Sequence, residues 1–427
     1  MNQGGIMNAI SGSKGHESGR VPRALLLTAA FLCSVFPAWS QSELPEGNGK
    51  ATIEAACVQC HDLQRVTRAR FTRADWQKVV NNMISYGTVL PKDEVEVVVD
   101  YLTRNFLGQP KPVGVVVPGN VEVSIKEWTV PTPGSRPHDP LVAADGSIWY
   151  AGIQGNLLGR FDPETNQFKE YRLKTPKSGP HGLVADKEGN IWFTAQQGGY
   201  IGKLDPKTGD VTEYRMPDPK ARDPHTPMFD HKGNLWFTLS GSNMVGRIVP
   251  KTGEVKLMTM RTEDAHPYGV QINSKGIPFF TLYGVNKLAS IDPDTLEIQE
   301  YVLPFPDARP RRLAITPDDV IWYGDYPRGR LGRFDPKTGK GSEWVTPSGP
   351  RSAPYGVTAM GNTVWLSESG TDKNTVVRFD PKTEKFQSWL IPSGGGVVRH
   401  MMPAPDGNLW LACSGVNGIA RVEIKYD

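Results

Sequence analysis

The amino-acid sequence predicts a mainly β protein: a seven-bladed β-propeller of four-stranded blades, preceded by a small all-α unit. Three columns of residues predict the propeller. Aromatic residues recur at strand centres, at Trp149, Trp192, Trp236, Phe279, Trp322, Trp365 and Trp410, 43 to 45 residues apart. A turn column follows them, at Asp162-Pro163, Asp205-Pro206, Val249-Pro250, Asp292-Pro293, Asp335-Pro336 and Asp380-Pro381. An outer column runs Trp128, Tyr171, Tyr214, Tyr301, Trp344 and Trp389, each followed shortly by proline. Four strands repeating every 40 to 45 residues or so mark a propeller, and seven copies close a ring.

Composition agrees with that reading. The 427 residues include 45 glycines and 36 prolines, well above the usual share of about 12% for the pair. That surplus is turn chemistry repeated in every blade. A hydrophobic fraction of 38% supports large cores and excludes wholesale disorder. Four cysteines exclude a disulfide scaffold. A formal net charge of +3 gives no electrostatic reason to expect nucleic acid. Length alone suggests about three domains, whereas the repeat assigns all of 121–427 to one ring.

Residues 1–40 read as a cleaved secretory signal peptide. Arg20 and Arg23 precede an apolar run from Ala24 to Phe36, and Ala38-Trp39-Ser40 offers small residues for cleavage. The run is too short for a membrane span of about 20 residues, and Leu32 before Cys33 is too bulky for lipoprotein processing. Loss of Lys14, Glu17, Arg20 and Arg23 leaves a mature charge of +1. The expectation is an exported periplasmic protein with no membrane span in the mature chain.

Residues 43–107 carry Cys57-Val58-Gln59-Cys60-His61, the C-x-x-C-H pattern of covalent haem attachment. Two thiols one helical turn apart reach the two vinyl groups, and His61 reaches the iron. A thioredoxin-like pair does not need His61, and a zinc site needs a second ligand pair that the next hundred residues lack. By elimination Met83 is the candidate sixth ligand: it is the one methionine between His61 and Met216, and no histidine follows His61 before His138. The competing reading of Met83 is a plain core residue, on a helix capped by Thr72 with Trp76, Val79, Val80 and Ile84 on the same face. A His/Met pair suits electron transfer. A further helix opens with Pro91 in its first turn and turns Val95, Val98, Val99 and Leu102 inward. The segment thus resembles the small class I cytochrome c domains, including those attached to propellers in quinohaemoprotein dehydrogenases. That resemblance implies three helices and one covalent haem c.

Residues 108–120, rich in Gly, Pro and Val, read as a linker. In 121–427 the second repeat shows the four strands plainly: His181–Ala185, Ile191–Thr194, Tyr200–Leu204 and Val211–Arg215. The last repeat has only three, ending at Arg421-Val422-Glu423-Ile424. Val121–Trp128 is therefore expected to return as its outer strand and hide both sheet edges. The repeat resembles that of the virginiamycin B (streptogramin) lyase family, on lines such as Gly189-Asn190-Ile191-Trp192-Phe193-Thr194 followed by Ile201-Gly202-Lys203-Leu204-Asp205-Pro206.

The turn into each innermost strand lines one mouth of the channel. It holds His138, His181, His225, Tyr268, Arg311, Tyr355 and His400, with His266, Arg309, Arg312 and Arg399 beside them. This is a polar, partly cationic funnel for an anionic or carbonyl-bearing small molecule, or for a divalent metal. The structural alternative is a histidine that only satisfies its own turn. Loops facing the same mouth carry Gln196, Gln197, Tyr283, Asp325, Tyr326, Arg328, Glu368 and Cys413. Asp325 and Glu368 are candidate bases or metal ligands, with salt bridges to neighbouring arginines as the alternative. Cys413 reads as a small buried residue.

The lyase resemblance implies a metal-bound carboxylate two residues before a catalytic histidine in the last repeat, and a later glutamate. His400 matches the histidine, but Val398 and Cys413 stand at the carboxylate positions. Asp223-Pro224-His225 and Asp264-Ala265-His266 keep the spacing without the later glutamate; Glu368 keeps that position in a repeat where Tyr355 replaces the histidine. The first expectation is therefore a periplasmic haem protein in electron transfer. Its propeller would bind a substrate or a redox partner protein, as in a dehydrogenase. A carbon–oxygen lyase or hydrolase using His400 and Glu368 comes second, and a non-enzymatic binding scaffold third.

Overall fold

Short apolar runs, buried throughout in the inner strands and alternating with exposed residues only in the outer ones, are broken by glycine-bearing turns and form short antiparallel strands. In a computed structural model, which describes residues 44–57, 63–67, 69–85 and 88–426, these strands form seven four-stranded sheets. The first blade is Pro137–Val142, Ile148–Gly152, Leu157–Asp162 and Gln167–Arg172. The innermost strands of the others are Pro180–Ala185, Pro224–Phe229, Pro267–Ile272, Pro310–Ile315, Pro354–Met360 and Val398–Pro403. Each touches the next, and the last touches the first, so they wall a central channel.

The two aromatic columns meet inside the blades. Trp149 stacks on Tyr171 at 5.3 Å, Trp192 on Tyr214 at 5.2 Å, Trp322 on Trp344 at 5.7 Å and Trp365 on Trp389 at 5.7 Å. Trp410 stacks at 5.4 Å on Trp128, which arrives from the other end of the propeller segment. The closure is as expected: Val121–Thr129 pairs antiparallel with Gly418–Tyr426, from Val121 opposite Tyr426 to Thr129 opposite Gly418.

A second device ties four of the outer strands to the loop feeding their own blade. Glu170 accepts from Thr132, and Glu300 from Thr262, in both cases from the backbone N–H and the hydroxyl. Glu213 accepts from Thr175. At the closure Glu127 accepts from the backbone and hydroxyl of Ser393. Blade 6 has Ser388 at this rank, and its clasp comes instead from Glu368, which accepts from Ser348 and Thr375.

Ser388 is otherwise engaged. Residues 110–117, expected to be a linker, run as a strap along blade 6. Val117 forms a bridge with Ser388, the Val115 N–H donates to Ser348, the Arg351 guanidinium donates to the Pro110 carbonyl, and the Asp372 backbone N–H donates to the Pro112 carbonyl. The approach is close enough that a Cβ on Gly114 would lie 2.2 Å from the Lys373 carbonyl, and one on Gly119 would lie 2.1 Å from Gln387.

Ahead of the strap come four helices: α1 (Lys50–Ala56), the single turn α2 (Gln64–Thr67), α3 (Arg73–Ser85) and α4 (Glu94–Asn105). Three were expected. Thr72 caps α3 by accepting from the Asp75 N–H at 3.2 Å. Pro91 lies ahead of α4 rather than in its first turn, and its carbonyl accepts from Glu94. The helices share a core of Ile53, Val66, Trp76, Val80, Val99 and Leu102. None of the described helices is long and apolar enough to cross a membrane. The signal peptide expected at 1–40 lies outside the described residues.

Truncating Trp128→Ala should cost about 3 kcal/mol by urea unfolding. Trp344→Ala removes a similar stack within blade 5 but leaves the ring shut. Limited proteolysis near residue 121 should therefore accelerate in the first variant and not in the second.

Candidate functional site

Strand register decides which side chains share a level in the channel. Pro137, Pro180, Pro224, Pro267, Pro310, Pro354 and Val398 are each paired with the last residue of the second strand. The next residues form one rank: His138, His181, His225, Tyr268, Arg311, Tyr355 and Arg399. His400 therefore belongs one residue deeper, with Asp139, Thr226 and Arg312. The expected place of His400 in the mouth ring is held by Arg399, because the last repeat starts its strand with Val398 where six others have proline.

The upper rank is a stack of rings. His138 and His181 lie 3.7 Å apart, His181 and His225 3.8 Å, and His225 and Tyr268 4.0 Å. Tyr268 and Tyr355 share a short hydroxyl–hydroxyl hydrogen bond. Arg311 lies among four tyrosines, its guanidinium carbon 3.8 Å from the Tyr355 ring centre, 4.3 Å from Tyr326 and 5.0 Å from both Tyr268 and Tyr283. The loop tyrosines Tyr283 and Tyr326 thus join the ring as the sequence suggested.

The deeper rank carries a buried ion pair across the channel. Arg312 donates to both Asp139 oxygens at 2.9 and 3.1 Å and to Thr226 at 3.3 Å. His138 Nδ1 contacts the same carboxylate at 2.8 Å. Below lies a cavity of about 270 Å³, headed by Asp139, Thr226, Arg312 and His400 and walled by Leu183, Val270 and Met401 among others. Sequence reading missed Asp139; its signal was strand position, one residue past the ring histidine.

Burial dominates the protonation states. It pushes His138 down to about 3, with the bond to Asp139 only partly opposing, and His400 down to about 4, helped by Arg312. His181 and His225 also stay well below the usual range, by burial and neighbouring positive groups. Burial opposes the charge on Asp139, but Arg312 and His400 hold its carboxyl below the usual range. Burial raises Tyr268. Burial also works against Tyr355 ionisation, yet Arg311, Arg399 and the hydrogen bond with Tyr268 outweigh it and lower its pKa. Tyr355 is thus the acidic phenol of the pair, next to two guanidinium groups.

Other expected residues serve structure. Glu368 is fully buried in its clasp with Ser348 and Thr375. Asp325 pairs with Arg328 at 3.0 Å, and burial raises it to about 6. His266 is exposed and contacts the Ser240 carbonyl, at the rim rather than in the ring. Cys413 is buried, which raises its thiol pKa.

For a metal, His138, Asp139 and His181 bring ligand atoms within 4.8 Å of one another. Both Asp139 oxygens are already held by Arg312, and the charges of Arg312 and Arg399 bear on these histidines. That donor set favours an anion or carbonyl over a dication. For a haem, Cys57 caps α1 and packs against the helical core, while Cys60 and His61 lie outside the described residues. Met83 lies on α3, partly buried, and among the described residues is not part of the packed core.

The sequence profile of the virginiamycin B lyase family matches residues 116–277 and 254–426. No curated protein sequence matches the chain. Among solved structures, a streptogramin B lyase is 23% identical with a TM-score of 0.65, covering 71% of this chain and 98% of that one. The virginiamycin B lyase of Staphylococcus aureus is 22% identical with a TM-score of 0.65, covering 70% and 99%. The hydrazine synthase of Kuenenia stuttgartiensis is 15% identical with a TM-score of 0.54, covering 70% and 97%.

The buried neutral histidines set a pH dependence. Their folded pKa values lie below the unfolded value near 6.5, so between about pH 6.5 and 4 the unfolded chain binds more protons. Stability should therefore fall as pH is lowered across that window, by up to about 1.4 kcal/mol per pH unit for each such histidine. Urea unfolding from pH 7 to 4.5 measures this slope, and His181→Gln should make it shallower.

Proposed function

The chain belongs to the virginiamycin B lyase family, and from that premise we propose a carbon–oxygen lyase acting on an anionic or carbonyl-bearing molecule at the channel mouth. The observation that carries the reading is the geometry at Tyr355, whose ring centre lies 3.8 Å from the Arg311 guanidinium carbon and 6.0 Å from that of Arg399, with its hydroxyl hydrogen-bonded to Tyr268. A phenolate positioned there takes the proton from a carbon next to a carbonyl. Arg311 and Arg399 offset the charge that develops on the carbonyl oxygen. The electron pair left on that carbon forms a carbon–carbon double bond as the oxygen on the next carbon departs. His181 is a neutral hydrogen-bonding group at the same rank, with Nδ1 unpartnered among the described residues.

Quinupristin, present in a structure of an inactive variant of the S. aureus virginiamycin B lyase, is a suitable first substrate. Linearisation in heavy-oxygen water should leave the product unlabelled; incorporated label would indicate a hydrolase. Tyr355→Phe should lower turnover by at least about a hundredfold. Ultraviolet titration of the free protein should show one tyrosine ionising below the ordinary value near 10. That ionisation should vanish in Tyr355→Phe and move to higher pH in Arg311→Met. If neither variant changes the titration, the base assignment fails.

A second reading concerns the helical unit and rests on Cys57-Val58-Gln59-Cys60-His61. We propose that it holds one covalent haem c, with His61 and Met83 at the iron, in a periplasmic protein that meets an electron-transfer partner protein. Bound haem would supply one-electron chemistry. The partly buried Cys57 and the position of Met83 outside the packed core are consistent with it. Protein exported from a strain competent in haem maturation should keep a covalent haem spectrum after denaturation. Met83→Ala should remove the methionine-ligation band while the covalent attachment remains. A haem-free product from that strain rejects the reading.

A further inference from the structure

The strap reaches blade 6 beside Arg351, in the turn before an innermost strand, and Asp372, between the second and third strands. Both lie on the face that carries the channel mouth. On the same face, Asn82 of α3 lines a cleft of about 230 Å³ at the seam between blades 7 and 1. The helical unit therefore lies on the mouth side of the ring, and the cleft is built from both parts of the chain.

The cleft chemistry is one-sided. Arg136, Arg399, Asn82, Ser414 and Asn417 supply its polar groups, and no carboxylate is among its lining residues. Arg399 Nη1 is buried without a partner among the described residues, and such an orphaned cationic donor is costly unless a ligand meets it. Arg136 adopts a left-handed backbone, φ 56°, held by donation of its N–H to Asn417 Oδ1 at 3.1 Å. The same left-handed turn residue precedes the innermost strand at Asp223, His266 and Ala353, so this backbone belongs to the blade repeat. Asn417 is itself left-handed, φ 54°, and donates to the Thr132 carbonyl at 3.0 Å.

We propose that this cleft is a carboxylate-binding site, in which Arg136 and Arg399 meet the carboxylate and Asn82 closes it from the helical side. The site goes beyond the lyase reading, because it requires no proton transfer and includes a residue outside the family-matched segment. A ligand seated there touches both the helical unit and the mouth ring, through Asn82 and Arg399.

Calorimetric titration of the full chain with sodium malonate tests it. Saturable binding is expected, weakening as salt is raised. Arg399→Gln should weaken it at least tenfold, and Asn82→Ala severalfold. Asn82→Asp, which places a negative charge in the cleft at an exposed helix position, should abolish it. Malonate binding is read without turnover, so failure of the lyase reading and failure of this one are separable. Absence of saturable binding, or binding that both Asn82 variants leave unaltered, overturns the proposal. The Asn82 variants lie on an exposed surface, so the test stands even if Arg399→Gln does not fold.

Discussion

Closure of the ring by Val121–Thr129 on Gly418–Tyr426 is the constraint on which the other features depend. A stack of seven blades without it would present two open sheet edges, and the innermost strands would not be held in a circle. The pairing sets Trp128 against Trp410 and Glu127 against Ser393, so the closing strand repeats the aromatic stack and the glutamate clasp found within continuous blades. It also places Arg136 and Asn417, from opposite ends of the propeller segment, in hydrogen-bond contact at one seam. The proposed carboxylate cleft exists only because that seam is shut.

Inside the closed ring the balance of charges follows from burial. Neutral histidines are the cheaper form where water is excluded, since a charged imidazole would have to be desolvated beside three arginines. Arg312 faces Asp139 across the channel, blade 5 to blade 1, its Nη2 donating to both carboxylate oxygens. Such a pair adds little net stability, because desolvation offsets the attraction, but it fixes position. Arg311, one residue earlier, lies against tyrosine rings instead, leaving its positive charge to act on Tyr355.

The helical unit is joined to this ring by a strap rather than a free tether. Its hydrogen bonds to Ser348, Ser388, Arg351 and Asp372 explain why blade 6 departs from blades 1, 2, 4 and 7. Ser388 takes the rank that holds a clasping glutamate in other blades, and Glu368 moves into the clasp from the second strand. A residue that resembles a catalytic carboxylate by spacing is thereby accounted for by packing.

Period and composition were sufficient for the architecture. Seven aromatic positions 43 to 45 residues apart, with turn residues between them, leave few alternatives to a propeller. The missing outer strand at Arg421–Ile424 implied its replacement from 121–128. The C-x-x-C-H spacing was likewise legible, because that chemistry is local in sequence. What needed tertiary structure was whatever depends on register or on residues far apart. One residue of register decides whether Arg399 or His400 faces the mouth, since successive strand positions point to opposite faces. Asp139 and Arg312 are 173 residues apart, and no local pattern links them. The acidity of Tyr355 arises from Arg311, Arg399 and Tyr268 converging from three other blades, a property of the closed ring and of no single repeat.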